Sequence, residues 1–188
     1  MKASAREATG SPPTAELDEI IRKVKQLARR YREITGRPLG ITGEIGEYEA
    51  ARLLGLEIAP VRSPGYDLIR RAGDVPDYLQ VKTRVVDFEK AGGRLGSIDV
   101  SKPWDAVLLV LLTGDYEPIA IYEVPREPIV EAITRPGSKA RARGALSLPL
   151  FRSLGKRIWS PSSPAHSVAE AVRRRGRRLG RPHGRGPS

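Results

Sequence analysis

The sequence predicts an α/β domain, a mixed β-sheet flanked by helices. Two long stretches of helical periodicity open the chain, a set of short extended runs follows, and one of those runs, Asp105–Leu112, is apolar on both faces. Alternation of apolar and polar residues marks a half-buried strand, whereas a run apolar throughout implies burial on both sides and a central place in the sheet.

The long first helix is expected over 14–35: Leu17, Ile20, Ile21, Val24, Leu27, Ala28, Tyr31 and Ile34 recur at helical spacing, and Gly36 stops it. Its apolar stripe is expected to pack on the domain, with a helix-mediated homodimer as the other arrangement such a stripe permits. A second helix is expected over 43–54, with Thr42 as N-cap and Gly55 at its end. Strands at 66–70 and 78–85, joined by the turn-rich stretch 71–77, read as a β-hairpin. Residues 87–97, with three glycines, read as a mobile connection, followed by the central strand, a strand at 119–124 and short helices at 127–133 and 148–154. Residues 1–13 and 161–188 are rich in small, polar, Pro, Gly and Arg residues and are expected to be disordered, which leaves a single domain over 14–160.

The bulk numbers narrow the function. The chain has 188 residues and a formal charge of +11, of which the stretch from Ala165 to Ser188 contributes +6 with seven Arg and one Glu. A polyanionic partner is expected, nucleic acid above all. There is no Cys, so thiolate nucleophiles, thiolate metal sites and disulfides are excluded. No apolar run approaches the ~20 residues of a membrane helix, and no apolar signal core opens the chain, so a cytoplasmic protein is expected. The only histidines, His166 and His183, fall in the basic tail, away from any catalytic role. Gly40, Gly43 and Gly46 match neither phosphate-loop spacing.

Chemistry concentrates in three places. Gln80 and Lys82 lie two apart on one strand and share a face, while Leu79, Val81 and Thr83 take the other. A hairpin symmetric about Asp74–Val75 sets Asp67 across from Lys82 or close to it, so that a carboxylate, an amide and an ammonium converge. On the second helix, at about 100° per residue, Glu47 falls on the apolar face with Ala50, Ala51 and Leu54. Ile45, Glu49 and Arg52 fall on the opposite side. A buried carboxylate needs a cation, a hydrogen-bond network or a metal.

That set of residue types suits phosphodiester cleavage. A hard cation offsets charge growing on the phosphate and lowers the pKa of an attacking water. Mg²⁺ (or Mn²⁺) takes oxygen ligands: Asp67 as the main one, with the Gln80 side-chain oxygen and the Val81 carbonyl adding neutral oxygens. Glu47 supplies the second negative charge, directly or through water. Lys82 orients the nucleophilic water and stabilises the transition state. From Ala132 through Ala169 there is no acidic residue, while Lys139, Arg141, Arg143, Lys156 and Arg157 accumulate, a surface suited to nucleic-acid phosphates.

Gly43-Glu44-Ile45-Gly46-Glu47-Tyr48-Glu49-Ala50-Ala51, Gly65-Tyr66-Asp67 and Gln80-Val81-Lys82 together resemble the PD-(D/E)xK nuclease superfamily, with its restriction-endonuclease-like fold. Gln in place of the usual acid resembles the Mrr-type branch, and the layout resembles a small bacterial family. The likeness spans roughly Leu39 to Val124. It implies that Asp67 and Gln80 bind divalent metal, that Lys82 is catalytic and that Glu47 is the helix-borne acid. Tyr66 stands where the family name has Pro, and Gln80 removes one charge from the metal site. The function expected is a metal-dependent endonuclease-like hydrolase, with DNA favoured over RNA as substrate. The alternative is a non-catalytic nucleic-acid-binding protein that keeps the nuclease fold and uses Asp67 and Lys82 as an ion pair.

Overall fold

A computed structural model describes residues 10–86, 93–137, 139 and 143–161. Helix α1 (Ala15–Thr35) and helix α2 (Thr42–Leu54) precede strands β1 (Glu57–Ile58), β2 (Leu68–Arg70), β3 (Asp77–Val85), β4 (Ala106–Leu112) and β5 (Pro118–Pro125). Helix α3 (Arg126–Thr134), helix α4 (Leu148–Leu154) and strand β6 (Lys156–Trp159) complete the described elements. The strands form one six-stranded sheet in the order β1-β2-β3-β4-β5-β6. Only β3 and β4 run parallel; the other neighbours are antiparallel. The fold is a mixed α/β one, as expected.

Every residue of β4 is buried. Its even-numbered residues Leu108, Val110 and Leu112 join Leu68, Leu79 and Val81 under Ile45, Ala50 and Ala51 of α2. Its odd-numbered residues Val107, Leu109 and Leu111 join Val124 under Ile129 and Ile133 of α3 and Phe151 of α4. Two helical layers therefore cover the two faces of the sheet, which accounts for the apolar run. Trp104 packs in the second of these cores and Trp159 borders the first.

Several expectations change in detail. The Thr14 side chain caps α1, accepting from Leu17 N–H at 3.2 Å, and Gly36 ends it in the left-handed conformation. Thr42, expected as the cap of α2, is instead its first helical residue; Ile41 precedes it and provides no side-chain cap. Of the stretch 1–13, residues 1–9 lie outside the described residues, but Ser11 pairs with Ile58 through two backbone hydrogen bonds of 3.0 and 2.7 Å. The second half of the connection expected to be mobile is packed: Leu95 is buried and its N–H donates to Leu146 O at 2.8 Å. Residues 87–92 and the basic tail from 162 lie outside the described residues.

The largest departure concerns α1. Only Ile21, Lys25 and Ala28 of this helix are buried, while Ile20, Leu27, Tyr31 and Ile34 are exposed. Packing of the whole apolar stripe on the domain is therefore wrong. The helix turns a narrower face inward because Lys25 docks there on an acidic partner of α2. Glu49, expected on the outer side, is 2% exposed. Its Oε1 lies 2.6 Å from Lys25 Nζ and its Oε2 lies 2.7 Å from Arg52 Nη2. Glu117 adds a second carboxylate 3.3 Å from Lys25 Nζ. Ile45 on that same side is fully buried. The α2 wheel reading assumed one buried face, but α1 covers a second.

Candidate active site at the β2–β3 divergence

Strands β2 and β3 pair with Leu68 opposite Leu79, Ile69 opposite Tyr78 and Arg70 opposite Asp77. Extended by one residue, that register sets Asp67 opposite Gln80, two residues short of the Lys82 expected. A two-residue slip keeps the face, since side chains alternate with period 2, so Asp67 still shares its side of the hairpin with Gln80 and Lys82.

Just before Leu68 the two strands part. Gly65 sits at φ 89° with the Lys102 side chain pressed against it; a Cβ there would collide with Lys102. The chain therefore bends away from β3 at a position only glycine occupies without strain. The Asp67 N–H still donates to Leu79 O at 2.9 Å, but Val81 N–H has lost a backbone acceptor on β2. The Asp67 side chain replaces it: Oδ2 accepts from Val81 N–H at 2.7 Å. The carboxylate is thus held by the strand on which Gln80 and Lys82 lie.

A second close approach brings α2 to the same place. A Cβ on Gly46 would overlap the Thr83 side chain, so the helix lies directly on β3. The next residue, Glu47, is half-buried. Burial, then the negative charges of Asp67 and Glu44, push its carboxyl up from 4.5 to about 7, with Lys82 acting the other way. Burial also raises the Asp67 carboxyl, opposed by the Val81 hydrogen bond and by Lys82. The Lys82 ammonium is lowered by burial and held up by Asp67 and Glu47. Two carboxylates and one ammonium therefore share one electrostatic neighbourhood.

Gln80 completes the group. Its Oε1 is buried and has no hydrogen-bond partner among the described residues, as holds also for the Thr83, Tyr48 and Tyr116 hydroxyls. A buried amide oxygen without a donor is costly, by about 1–3 kcal/mol, and a cation ligand would relieve it. The donor set of Asp67, Gln80 Oε1, the Val81 carbonyl and Glu47 consists of oxygens alone, which suits a hard divalent cation and not a soft one. Among the described residues no cluster of three or more His, Cys, Asp and Glu forms a metal group, so any cation here depends on neutral oxygens beside two carboxylates.

A cleft of about 630 Å³ opens at Lys82 and is lined by Arg32, Thr42, Gly43, Thr83 and Arg84, with no acidic residue among the described residues of its wall. Arg32 reaches in from α1 and lies over the Tyr116 ring, 5.5 Å from its centroid. Arg84 is fixed by Nε donating to Arg94 O at 2.8 Å. Sequence reasoning missed both. Arg84 carries a usable signal, since it continues the Gln80, Lys82 alternation; Arg32 carries none, because tertiary packing alone brings α1 there. A second hollow of about 580 Å³, lined by Asp18, Glu19, Arg22, Lys25, Glu49 and Arg52, is the seam between α1 and α2. Its buried charges, Lys25 and Glu49, are paired with each other.

The basic residues expected on a phosphate surface divide. Lys156 and Arg157 are exposed on β6, at the far edge of the sheet and three strands from β3. Lys139 and Arg143 are exposed outside the sheet, and Arg141 lies outside the described residues. The structure sets Glu47, Asp67 and Lys82 within electrostatic reach of one another, with Gln80 two residues before Lys82 on β3; of these four, Lys82 alone lines the cleft that holds Arg32 and Arg84. No protein-family model matches this chain, and no curated protein matches it.

Proposed function

We propose that this chain is a divalent-metal-dependent nuclease that hydrolyses phosphodiesters of nucleic acid, DNA in preference to RNA. The observation that carries the reading is the junction of the Asp67 carboxylate, locked on Val81 N–H, with the partnerless Gln80 oxygen and the half-buried Lys82 and Glu47. The Asp67–Val81 hydrogen bond serves the sheet, but the sheet requires neither an unsatisfied Gln80 oxygen nor a Glu47 carboxyl pushed up to about 7.

Mg²⁺ or Mn²⁺ would be held by Asp67, the Gln80 oxygen and the Val81 carbonyl, with Glu47 directly or through water. When bound, it would offset charge on the phosphate and acidify a water. The chain's own residues do the rest. Arg32 and Arg84 draw the phosphate backbone into the cleft and fix its path beside Lys82. Lys82 Nζ hydrogen-bonds the attacking water and a non-bridging phosphate oxygen. Burial lowers its pKa and so makes it a better proton carrier than a surface lysine. As the water oxygen bonds to phosphorus, the P–O bond to the leaving alkoxide breaks; the ammonium stabilises the negative charge that builds in between. Glu47, its carboxyl raised by burial, accepts the water's proton.

One observation favours a second reading, a nucleic-acid-binding protein that retains the fold without cutting. Two carboxylates with a glutamine carry less charge than a third acid would supply, and Asp67 and Lys82 already offset each other. Incubating the full chain with labelled linear, branched and single-stranded DNA and RNA separates the two. Cutting that needs Mg²⁺ or Mn²⁺ and stops with chelator supports the nuclease. A folded protein that binds the panel, cuts none of it and ignores chelator supports the binding protein.

A further inference from the structure

The exposed side of α1 has a strict heptad order. Leu17, Ile20, Val24, Leu27, Tyr31 and Ile34 alternate at spacings of three and four residues, the a and d positions of a two-stranded seam. Helix packing within the domain uses an adjacent side, Ile21, Lys25 and Ala28, with the half-buried Val24 also against the core. Four of the six seam residues are left open: Ile20 is 48% exposed, Leu27 65%, Tyr31 40% and Ile34 69%. Water contact of four large apolar side chains along one helix costs several kcal/mol of unused burial, at about 1.5–3 kcal/mol for each side chain fully covered.

We propose that α1 pairs with α1 of a second copy of this chain, the two helices running antiparallel. In an antiparallel pair each a residue meets a d residue of the partner. Here that matches Leu17 with Ile34, Ile20 with Tyr31 and Val24 with Leu27, each apolar residue finding a partner in a single register.

Charge selects the direction. The first two turns carry Glu16, Asp18 and Glu19, and the last two carry Arg29, Arg30 and Arg32 against the single acid Glu33. Antiparallel pairing lays the acidic end of one helix along the basic end of the other and opposes their dipoles favourably. Parallel pairing would set the three arginines beside their own copies. The flanking Lys23 and Arg30 are the like charges an antiparallel pair brings together, and each already has an acid beside it: Glu19 at 2.8 Å and Glu33 at 3.4 Å. The chain's own basic stretch from Arg173 to Arg185 is the competing occupant, but its arginines repel the C-terminal half of α1 and it has no heptad of apolar residues.

Light scattering of the full chain in moderate salt tests this. At about 50 µM, well above a micromolar Kd, the mass should be twice the 20.6 kDa of one chain. Leu27→Glu with Ile34→Glu, and the milder Leu27→Gln with Ile34→Gln, should run as monomers with unchanged helix content and a melting temperature that no longer depends on protein concentration. Both pairs should weaken association by roughly 10³-fold or more, which leaves mostly monomer at about 50 µM. Because the chain contains no Cys, orientation can be read directly. A tagged Leu17→Cys chain mixed with an untagged Ile34→Cys chain should oxidise mainly to the mixed disulfide. A wild-type monomer, a dimer that survives both double variants, or disulfides formed only between like chains would each overturn the proposal.

Discussion

Asp67 Oδ2 accepts a hydrogen bond from the Val81 backbone N–H at 2.7 Å. The carboxylate stands in for the backbone acceptor lost where β2 leaves β3, so it is part of the sheet ladder as well as of the candidate site. Among the described residues its other oxygen accepts no hydrogen bond, which leaves one face of the carboxylate for a cation. The double duty has a measurable consequence. Asp67→Asn keeps an acceptor for Val81 N–H and should change apo stability by less than about 1 kcal/mol. Asp67→Ala orphans that N–H and should cost about 1–3 kcal/mol. Urea unfolding of both variants without metal checks the difference.

Glu47 predicts a pH dependence of the opposite sense to ordinary acid denaturation. Its folded carboxyl sits near 7, above the 4.5 of the unfolded chain. Between those values the folded state binds more protons, so this group's contribution is present at low pH and is lost as pH rises through about 7. Discounted for its partial exposure, the effect is about 1–2 kcal/mol. Glu47→Gln should therefore be more stable than wild type at pH 8 by about that amount, and equal to it near pH 4. Denaturant midpoints at the two pH values measure it; a variant less stable at both would contradict the assignment.

Gln80 is the residue that limits charge at the site. Gln80→Glu buries a further carboxylate and should lower apo stability by about 1–3 kcal/mol. It should also bind Mn²⁺ more tightly, and each tenfold in affinity adds about 1.4 kcal/mol of stabilisation at saturating metal. Thermal melts with and without Mn²⁺ read both effects, and a variant whose melting temperature ignores Mn²⁺ while wild type responds would count against Gln80 as a ligand.

The buried pair between the helices sets a fourth test. Lys25 and Glu49 are 9% and 3% exposed at the side chain. Lys25→Met leaves Glu49 with only Arg52 and should cost about 3 kcal/mol, the low end for a broken buried pair. Lys25→Met with Glu49→Leu should recover most of that loss, because an apolar pair of similar size replaces it. Double-mutant thermal unfolding gives the coupling directly.

Periodicity made the fold legible, while the fine geometry depended on contacts that no single segment encodes. The all-apolar run announced β4 as central, and α1, expected over 14–35, stops at Gly36 as expected and starts one residue later, after its cap Thr14. The Gln80 and Lys82 alternation and the Asp67 hairpin were also visible, since a two-residue error in register leaves the face unchanged. A helical wheel with one buried side places Glu47 on that side. The same wheel put Glu49 outside, because nothing local shows that α1 lays Lys25 across α2. Arg32 joins the cleft for the same long-range reason. The stripe on α1 was read as one face although it contains two, one for the core and one left open.

The most direct measurement of the central claim is metal-dependent cleavage and Mn²⁺ binding by wild type, Asp67→Asn and Lys82→Ala side by side. Wild type should bind the ion and cut nucleic acid. Lys82→Ala should bind it yet cut at least about 10²-fold more slowly, the scale of a lost proton-transfer group. Asp67→Asn should lose both. Cutting that persists in Asp67→Asn and Lys82→Ala at the wild-type rate, or Mn²⁺ binding that Asp67→Asn leaves intact, would contradict the placement of the active site at the β2–β3 divergence.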